Sequence, residues 1–331
     1  MRPTSAELAV DSYLARRVWE RHLTEPRPKS PGGRWRTAVE ASIRKSSASV
    51  ERVVRVGSVV RGTAVRGYSD FDRFVIFRGQ PPNSPLDALG ALQGVVSDCI
   101  SRDIAVRITP PTVSYADPFG LSVIELLPAY EWKGVGFLIP DPFNADAWVP
   151  SDPGILVASM DAADFATAYA PLTAREIVQL VKIWKYAKSI PFSSIYLESL
   201  VAGNCLEFSN SPTAEIMIKV FETMRSGWAP IAMRWGKREM IIQPAPEDQM
   251  PLLPSPRRLA EEWRRIQSAS ISGAVEDAIR LVGEFVPKRE RGLMSGEDWL
   301  HHGGGSRAAS HRLRRAGVEA LEALKPEKRR S

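Results

Sequence analysis

Apolar side chains recur at helical spacing in the first part of the chain. Residues 5–23 show this spacing, and Trp35, Val39 and Ile43 share one face of a second helical segment. Between these segments, residues 25–33 are rich in Pro, Gly and Lys, a composition typical of a loop. The pattern therefore predicts two helices joined by a loop.

Short runs of β-branched and apolar residues follow, and such runs indicate strands. Four strands are predicted, at residues 50–56, 71–77, 104–108 and 121–127. Residues 85–100 predict a helix, because Ser84 can cap its start and Pro85 suits the first helical position. These elements form a mixed α/β block, although periodicity does not reveal which strands pair.

Helical spacing returns after a Pro- and Trp-containing segment at residues 140–153. The clearest helix is predicted at residues 173–187, where apolar residues form one stripe. Four more helices are predicted, at residues 195–206, 214–225, 257–267 and 273–285. The glycine-rich residues 301–306 predict a flexible loop.

These elements predict an α+β fold with two lobes. The first lobe, residues 1–155, would hold the mixed sheet with the N-terminal helix as a brace, and the second, residues 156–331, would be helical. A chain of 331 residues is about twice a common domain length, which suits this division. A small ligand is expected in the cleft between the lobes.

Amino-acid composition says more about the cellular compartment of the protein than about its function. No stretch approaches the ~20 apolar residues of a membrane span, and only Cys99 and Cys205 are present, too few for a disulfide framework. We therefore expect a cytoplasmic protein that does not bind a membrane. The net charge of +6 suits an anionic ligand such as a nucleoside triphosphate or a nucleic acid, but it equally fits a plain basic surface.

The segment from Gly57 to Asp72 carries the most chemical information. The Gly57-Ser58 turn can offer backbone amides and a hydroxyl to a phosphate without obstruction from a side chain. Asp70 and Asp72 are two residues apart, so on a strand both carboxylates point to one face and can hold a hard cation such as Mg²⁺. Such pairs also occur in ordinary turns, but the glycines before this pair and the strand after it favour a metal site.

Glu125 is the predicted third carboxylate. It lies among apolar residues of a strand-like run, where burial of an acid is costly unless the acid binds a metal or a cation. The alternative is a solvent-facing position at a strand edge. Three carboxylates could hold two metal ions that stabilise the attacking and leaving oxygens of a phosphoryl transfer.

These motifs resemble those of a known superfamily. Gly57-Ser58, Gly62-Thr63 and Ser69-Asp70-Phe71-Asp72 resemble the signature of polymerase-β-type nucleotidyltransferases. Further segments are similar to those of oligoadenylate synthetases and cyclic GMP-AMP synthase-like enzymes: the acidic strand at 123–129, the connecting segment at 137–153, and helical motifs at 175–184 and 193–198. The resemblance covers residues 1–270, and its bacterial branch is the cyclic GMP-AMP synthase/DncV-like nucleotidyltransferases (CD-NTases).

The resemblance implies a specific activity. Such an enzyme joins nucleoside triphosphates such as ATP and GTP, with Mg²⁺ or Mn²⁺, into a cyclic di- or trinucleotide. This second messenger diffuses to a partner effector protein and activates it, which is how such enzymes serve bacterial antiphage defence (CBASS). The resemblance also implies that Lys182 contacts the donor triphosphate and that Ser194 hydrogen-bonds the same phosphates. Two positions depart from the family pattern, since Ile195 replaces a common aromatic residue and Glu125 replaces the usual Asp.

The residues leave alternatives open for two of these sites. Lys182 borders the apolar stripe of its helix, so it could lay its methylenes along the core and turn its ammonium either to a cleft or to bulk solvent. Ser194 precedes a predicted helix and could serve as an N-cap.

Other functions remain to be separated by experiment. The same core could extend RNA or modify a protein or an antibiotic, or the chain could be a non-catalytic nucleotide-binding module. The four histidines lack partners at metal-ligand spacing, and no nucleophile elbow or P-loop is present. No insertion resembles the zinc-bearing DNA sensor of the animal enzyme, so direct DNA binding is not expected. Base identity, linkage and ring size are left open by the sequence.

Overall fold

The computed structural model describes residues 5–24, 27–118, 123–132, 136–142, 144–168, 170–187, 193–208, 211–226, 230–235, 238–242, 256–271 and 275–285. Its first elements are α1 (Ser5–Arg21), α2 (Pro31–Ser46), β1 (Val50–Arg55), α3 (Gly57–Val60), β2 (Phe71–Phe77), α4 (Pro85–Cys99), β3 (Val106–Thr109), β4 (Thr112–Ala116), β5 (Val123–Trp132), β6 (Gly136–Pro140) and β7 (Trp148–Ser151). The remaining elements are α5 (Pro153–Ala166), α6 (Ala174–Ala187), α7 (Ser194–Glu207), α8 (Thr213–Ser226), β8 (Ile231–Trp235), β9 (Arg238–Ile242), α9 (Pro256–Ile271) and α10 (Val275–Phe285). The predicted α+β class is confirmed.

The described residues fall into two compact units. The helical unit takes its members from Met1–Leu23, Arg61–Arg66 and Pro153–Arg291, and the sheet unit takes its members from Thr24–Val60 and Gly67–Asp152. The units thus change close to the predicted boundary at residue 155. They differ from the predicted lobes in two places, since α1 and residues 61–66 both belong to the helical unit. The assignment of the catalytic core to residues 1–155 and of a separate helical lobe to residues 156–331 stays a prediction.

The sheet unit is built on a seven-stranded mixed sheet. Its main order is β1-β2-β5-β4-β3, with β6 pairing with both β5 and β7. The β2–β5 pair is parallel, whereas β1–β2 and β4–β5 are antiparallel. Strand β2 is buried at every position except Asp72, which is half-buried. Asp72 is therefore the one position of β2 that stays partly open, since even the charged Arg73 is buried.

Capping residues and apolar spacing in the local sequence account for two helices of the sheet unit. Helix α4 begins as predicted, because the Ser84 hydroxyl accepts a hydrogen bond from the Leu86 backbone N–H and Pro85 follows the cap. Helix α2 buries Trp35, Val39 and Ile43, the three residues that predicted its apolar face. Helix α2 packs against β1, and α4 packs against β3, β4 and β5.

The helical unit is centred on α6. Ile177, Leu180 and Val181 are fully buried, but so are the polar residues Gln179 and Lys182 on other faces of the helix. A helix buried on all sides lies inside its bundle rather than on its surface. The predicted helices at 195–206, 214–225, 257–267 and 273–285 are confirmed as α7 to α10 with small shifts at their ends.

Some elements differ from the prediction. Strand β3 starts at Val106 rather than at residue 104, because Ile104 lies in a turn in which its N–H donates to the Ser101 carbonyl. Strands β4, β6 and β7, helix α5 and the β8–β9 hairpin were not predicted. Residues 121 and 122 of the predicted strand, the loop at 301–306, and His301, His302 and His311 lie outside the described residues. Across the part of the chain that the structure describes, no helix combines the length and apolar character needed to cross a bilayer.

Candidate active site

The Gly57-Ser58 turn packs directly against one of the predicted carboxylates. Gly57 has a φ of +79°, and a Cβ atom placed on it would lie 1.8 Å from Oδ2 of Asp72. The backbone reinforces this approach, because the Val56 N–H donates to the Asp72 carbonyl at 3.1 Å. Glycine is therefore required here both for the backbone conformation and for the space that the carboxylate occupies. Ser58 follows in the short helix α3.

The parallel pairing of β2 with β5 brings two carboxylates side by side. Asp72 is the register partner of Glu125, while the neighbouring partners Phe71 and Ile124 are buried. Because side chains alternate along a strand, Asp72 and Glu125 emerge on the same half-buried face. Asp70 lies two residues before Asp72, at the entrance to β2. The predicted set of Asp70, Asp72 and Glu125 therefore gathers at one end of the central strands.

The electrostatics of this set are those of crowded acids. Burial, followed by the charges of Asp70 and Asp72, raises the pKa of Glu125 to about 8. Carboxylate oxygens are the ligands that magnesium prefers, so the donor chemistry fits a divalent cation. Within the described ranges, no three His, Cys, Asp or Glu side chains already form a closed group suited to a metal ion. The three acids are thus neighbours whose side chains are not arranged as a preformed ligand cage.

The raised pKa predicts a pH dependence of stability. Folded Glu125 holds a proton between pH 4.5 and about 8 that the unfolded chain has released. The free energy of unfolding should therefore fall as the pH rises through this window, by at most about 1.4 kcal/mol per pH unit. Glu125→Gln is expected to flatten this slope in metal-free urea titrations at pH 5, 6, 7 and 8. Asp98→Asn, which changes an exposed carboxyl of α4, is the control variant.

Lys182 lies in the interior of the helical unit and is 1 % exposed. Its Nζ donates to Oε1 of Glu198 at 2.6 Å, to the Thr63 carbonyl at 3.2 Å and to the Thr63 hydroxyl at 3.4 Å. An ammonium group has three N–H donors, so these acceptors account for all of them. The structure therefore places Lys182 in a buried ion pair, an arrangement that differs from both outcomes considered for its ammonium in the sequence.

Ser194 meets a different lysine. The Nζ of Lys185 donates to the Ser194 hydroxyl at 2.9 Å, and burial, followed by the nearby Lys182, lowers the pKa of Lys185 to about 8 against the opposing effect of Glu198. Ser193, rather than Ser194, caps α7, because its hydroxyl accepts from the Tyr196 N–H. Lys185 was not among the residues predicted from the sequence. The available signal was its position one helical turn beyond Lys182.

A comparison with protein-family models finds a match to one family. Residues 38–112 match the nucleotidyltransferase domain. This range contains Gly57, Ser58, Asp70 and Asp72 and ends before Glu125. A search of curated protein sequences finds no match to the chain. The match therefore covers the segment that carries these four residues, and their roles stay a prediction.

Comparison with solved structures identifies the fold. CdnC of E. coli MS115-1, solved with ATP, is 14% identical and aligns with a TM-score of 0.59 over 83% of this chain and 95% of its own. The CD-NTase CdnG of Bradyrhizobium diazoefficiens, in complex with GTP, is 14% identical with a TM-score of 0.52 over 95% and 98%. A mutant of the di-nucleotide cyclase DncV of Vibrio cholerae, in complex with ATP and GTP, is 12% identical with a TM-score of 0.51 over 87% and 88%. The chain thus matches the nucleotidyltransferase-domain model over residues 38–112 and shares its fold with these CD-NTases, so the predicted resemblance is confirmed at the level of the fold.

Proposed function

We propose that this chain is a magnesium-dependent nucleotidyltransferase that joins nucleoside triphosphates into a cyclic di- or trinucleotide. The observation that carries the proposal is the β2–β5 register, which sets Asp72 beside Glu125 while Gly57 makes room for the Asp72 carboxylate. The nucleotidyltransferase-domain match includes this turn and both aspartates. The fold shared with CdnC, CdnG and DncV supports triphosphate substrates and cyclisation.

In the proposed reaction, Asp70, Asp72 and Glu125 would hold Mg²⁺ or Mn²⁺. The chemistry that such an ion supplies is neutralisation of the charge on the donor triphosphate. A ribose hydroxyl of the acceptor attacks the α-phosphorus, the new P–O bond forms, and the bond to pyrophosphate breaks. A carboxylate beside the attacking oxygen accepts its proton, and the Ser58 hydroxyl donates to the departing phosphates. A second transfer of the same kind closes the ring.

Phosphate contacts are also proposed for residues of the helical unit. Ser194 is proposed together with Lys182 or Lys185, and the geometry favours Lys185. It already donates to Ser194, whereas every N–H of Lys182 has an internal acceptor. Lys185 also has an unusually low pKa of about 8, so a phosphate would stabilise its charged form.

The variants Lys185→Met and Lys182→Met show which of the two lysines contacts the triphosphate. Because Lys185→Met removes a proposed phosphate contact from a half-buried position, we expect about a tenfold rise in the KM for the triphosphate and little change in Tm. Lys182→Met removes an interior charge and should mainly lower Tm and kcat. The measurements are pyrophosphate release and differential scanning calorimetry. A rise in KM confined to Lys182→Met would assign the triphosphate to Lys182 instead.

The product decides between the candidate functions. The protein is incubated with ATP, GTP, CTP, UTP and Mg²⁺, treated with phosphatase, and the products are identified by mass spectrometry. A phosphatase-resistant product formed without any acceptor supports cyclisation. Dependence on added RNA, protein or aminoglycoside would replace cyclisation with transfer to that acceptor. Metal binding without turnover would favour a non-catalytic module. The antiphage role and its effector protein remain proposals that follow from the cyclic product.

A further inference from the structure

The middle of the nucleotidyltransferase motif is built into the helical unit. Residues 61–66 lie between Ser58 and Asp70 in the chain, yet their backbone pairs with the end of α1 and the residues after it. The Leu23 N–H donates to the Ala64 carbonyl at 3.4 Å, and the Arg66 N–H donates to the Arg21 carbonyl at 2.6 Å. We call residues 61–66 the motif loop. Its position is therefore set by helices that carry none of the three carboxylates.

Side chains of α6 hold the backbone of the motif loop. The amide nitrogen of Gln179 donates to the Ala64 carbonyl at 2.9 Å and to the Gly62 carbonyl at 3.3 Å. The Arg175 guanidinium donates to the Arg61 carbonyl. These bonds satisfy loop carbonyls that a buried segment would otherwise leave without donors.

Glu198 of α7 is the centre of this anchorage and is 2 % exposed. Its Oε2 accepts from Nε of Arg61 at 2.6 Å, and its Oε1 accepts from Nη2 of Arg61 at 3.1 Å and from Nζ of Lys182 at 2.6 Å. Lys182 in turn donates to both oxygens of Thr63. One carboxylate thus holds the motif loop twice, directly at Arg61 and through Lys182 at Thr63.

Stability alone is a weak reason for such an arrangement. Burying three charged groups costs desolvation that well-packed apolar side chains would avoid, so a buried ion cluster adds little net stability. What it does supply is geometry, since a bidentate guanidinium–carboxylate pair fixes both groups in one plane. Burial opposes ionisation of Glu198, but Arg61 and Lys182 outweigh it and lower the pKa to about 2, so the clamp stays charged at working pH.

We propose that Glu198 is a positioning residue for nucleotidyl transfer. By clamping Arg61 and, through Lys182, Thr63, it fixes the motif loop and hence the backbone that leads from Ser58 to Asp70. This inference rests on the proposed function for its effect on turnover. Glu198 itself contacts no reacting atom in this scheme.

The test compares Glu198→Gln with the double variant Arg61→Gln/Glu198→Gln. The single variant leaves the Arg61 charge buried without its partner, so both Tm and kcat should fall. The double variant removes that unpaired charge, so Tm should rise above that of the single variant. We expect kcat to stay about 100-fold below wild type with KM changed less than about threefold. The exposed helical-unit pair Arg264→Gln/Glu222→Gln is the control and should match wild type.

Hydrogen–deuterium exchange of peptides spanning residues 57–72 reports the anchorage without any substrate. Faster exchange of these peptides in the double variant, at its higher Tm, is expected if the clamp fixes the loop. Unchanged exchange, or full recovery of kcat together with the rise in Tm, would overturn the proposal and leave the pair a structural one. Absence of product from the wild-type protein would overturn the proposed function alone, because the exchange result still decides the anchorage.

Discussion

Asparagine at both Asp70 and Asp72 is expected to reduce pyrophosphate release from nucleoside triphosphates by at least about 10³-fold. The change keeps the size of both side chains but removes the two charges that lie beside Glu125. Without those charges the site should neither hold a divalent cation nor accept the proton of the attacking hydroxyl. The measurement is a coupled pyrophosphate assay with saturating Mg²⁺, supported by mass spectrometry of the products.

The same variant should remain folded, which separates lost chemistry from lost structure. Burial, followed by the charges of Asp70 and Asp72, raises the pKa of Glu125, so removing those charges takes away an electrostatic repulsion. We therefore expect a Tm equal to or above that of wild type in metal-free buffer. Asp98→Asn, an exposed change in the same unit, should retain full turnover. Product formation by the double variant at the wild-type rate would refute the carboxylate site.

Strand β2 shows what local sequence determines well. Its predicted bounds at 71–77 are confirmed, because apolar and β-branched residues dominate this segment and polar residues lie on both sides of it. Helix α4 is confirmed for an equally local reason, since Ser84 and Pro85 define its start. Strand β5 illustrates the limit, because it continues through Pro128 to Trp132, whereas a proline is expected to end a strand.

The adjacency of Asp72 and Glu125 could not be derived from periodicity. It depends on a parallel pairing between strands that are far apart in sequence, and a shift of one residue would turn Glu125 to the opposite face. An acid within an apolar strand-like run predicted Glu125 as a site residue, and the register then shows why it lies beside Asp72. Short strands such as β4 escaped prediction because their alternation is brief and their stability comes from neighbours.

Lys182 shows a second limit of prediction from sequence. Its position beside the apolar stripe of α6 left open where the ammonium would point. The answer depends on Glu198 of α7 and on Thr63 of the motif loop, which reach it only through tertiary packing. Lys185 was open to the same interpretation from sequence, and the structure distinguishes it by its bond to Ser194.

Gly57→Ala is expected to lower turnover by about 10²–10³-fold while the protein stays folded. The new Cβ would lie 1.8 Å from Oδ2 of Asp72, so the carboxylate must move away from the turn. Alanine is also strained at a φ of +79°, which should lower the free energy of unfolding by about 1–2 kcal/mol. The measurements are steady-state pyrophosphate release and urea unfolding.

The control variant Gly79→Ala distinguishes the effect of backbone strain from that of the steric clash with Asp72. Gly79 has a similar φ of +86°, but a Cβ atom there meets nothing within 4 Å. It should therefore lose a comparable amount of stability and keep full turnover. Equal turnover in the two alanine variants would mean that the approach of Asp72 to the turn is not needed for catalysis. Both variants carry similar backbone strain. A difference between their turnover rates therefore reports how strongly displacement of the Asp72 carboxylate affects catalysis.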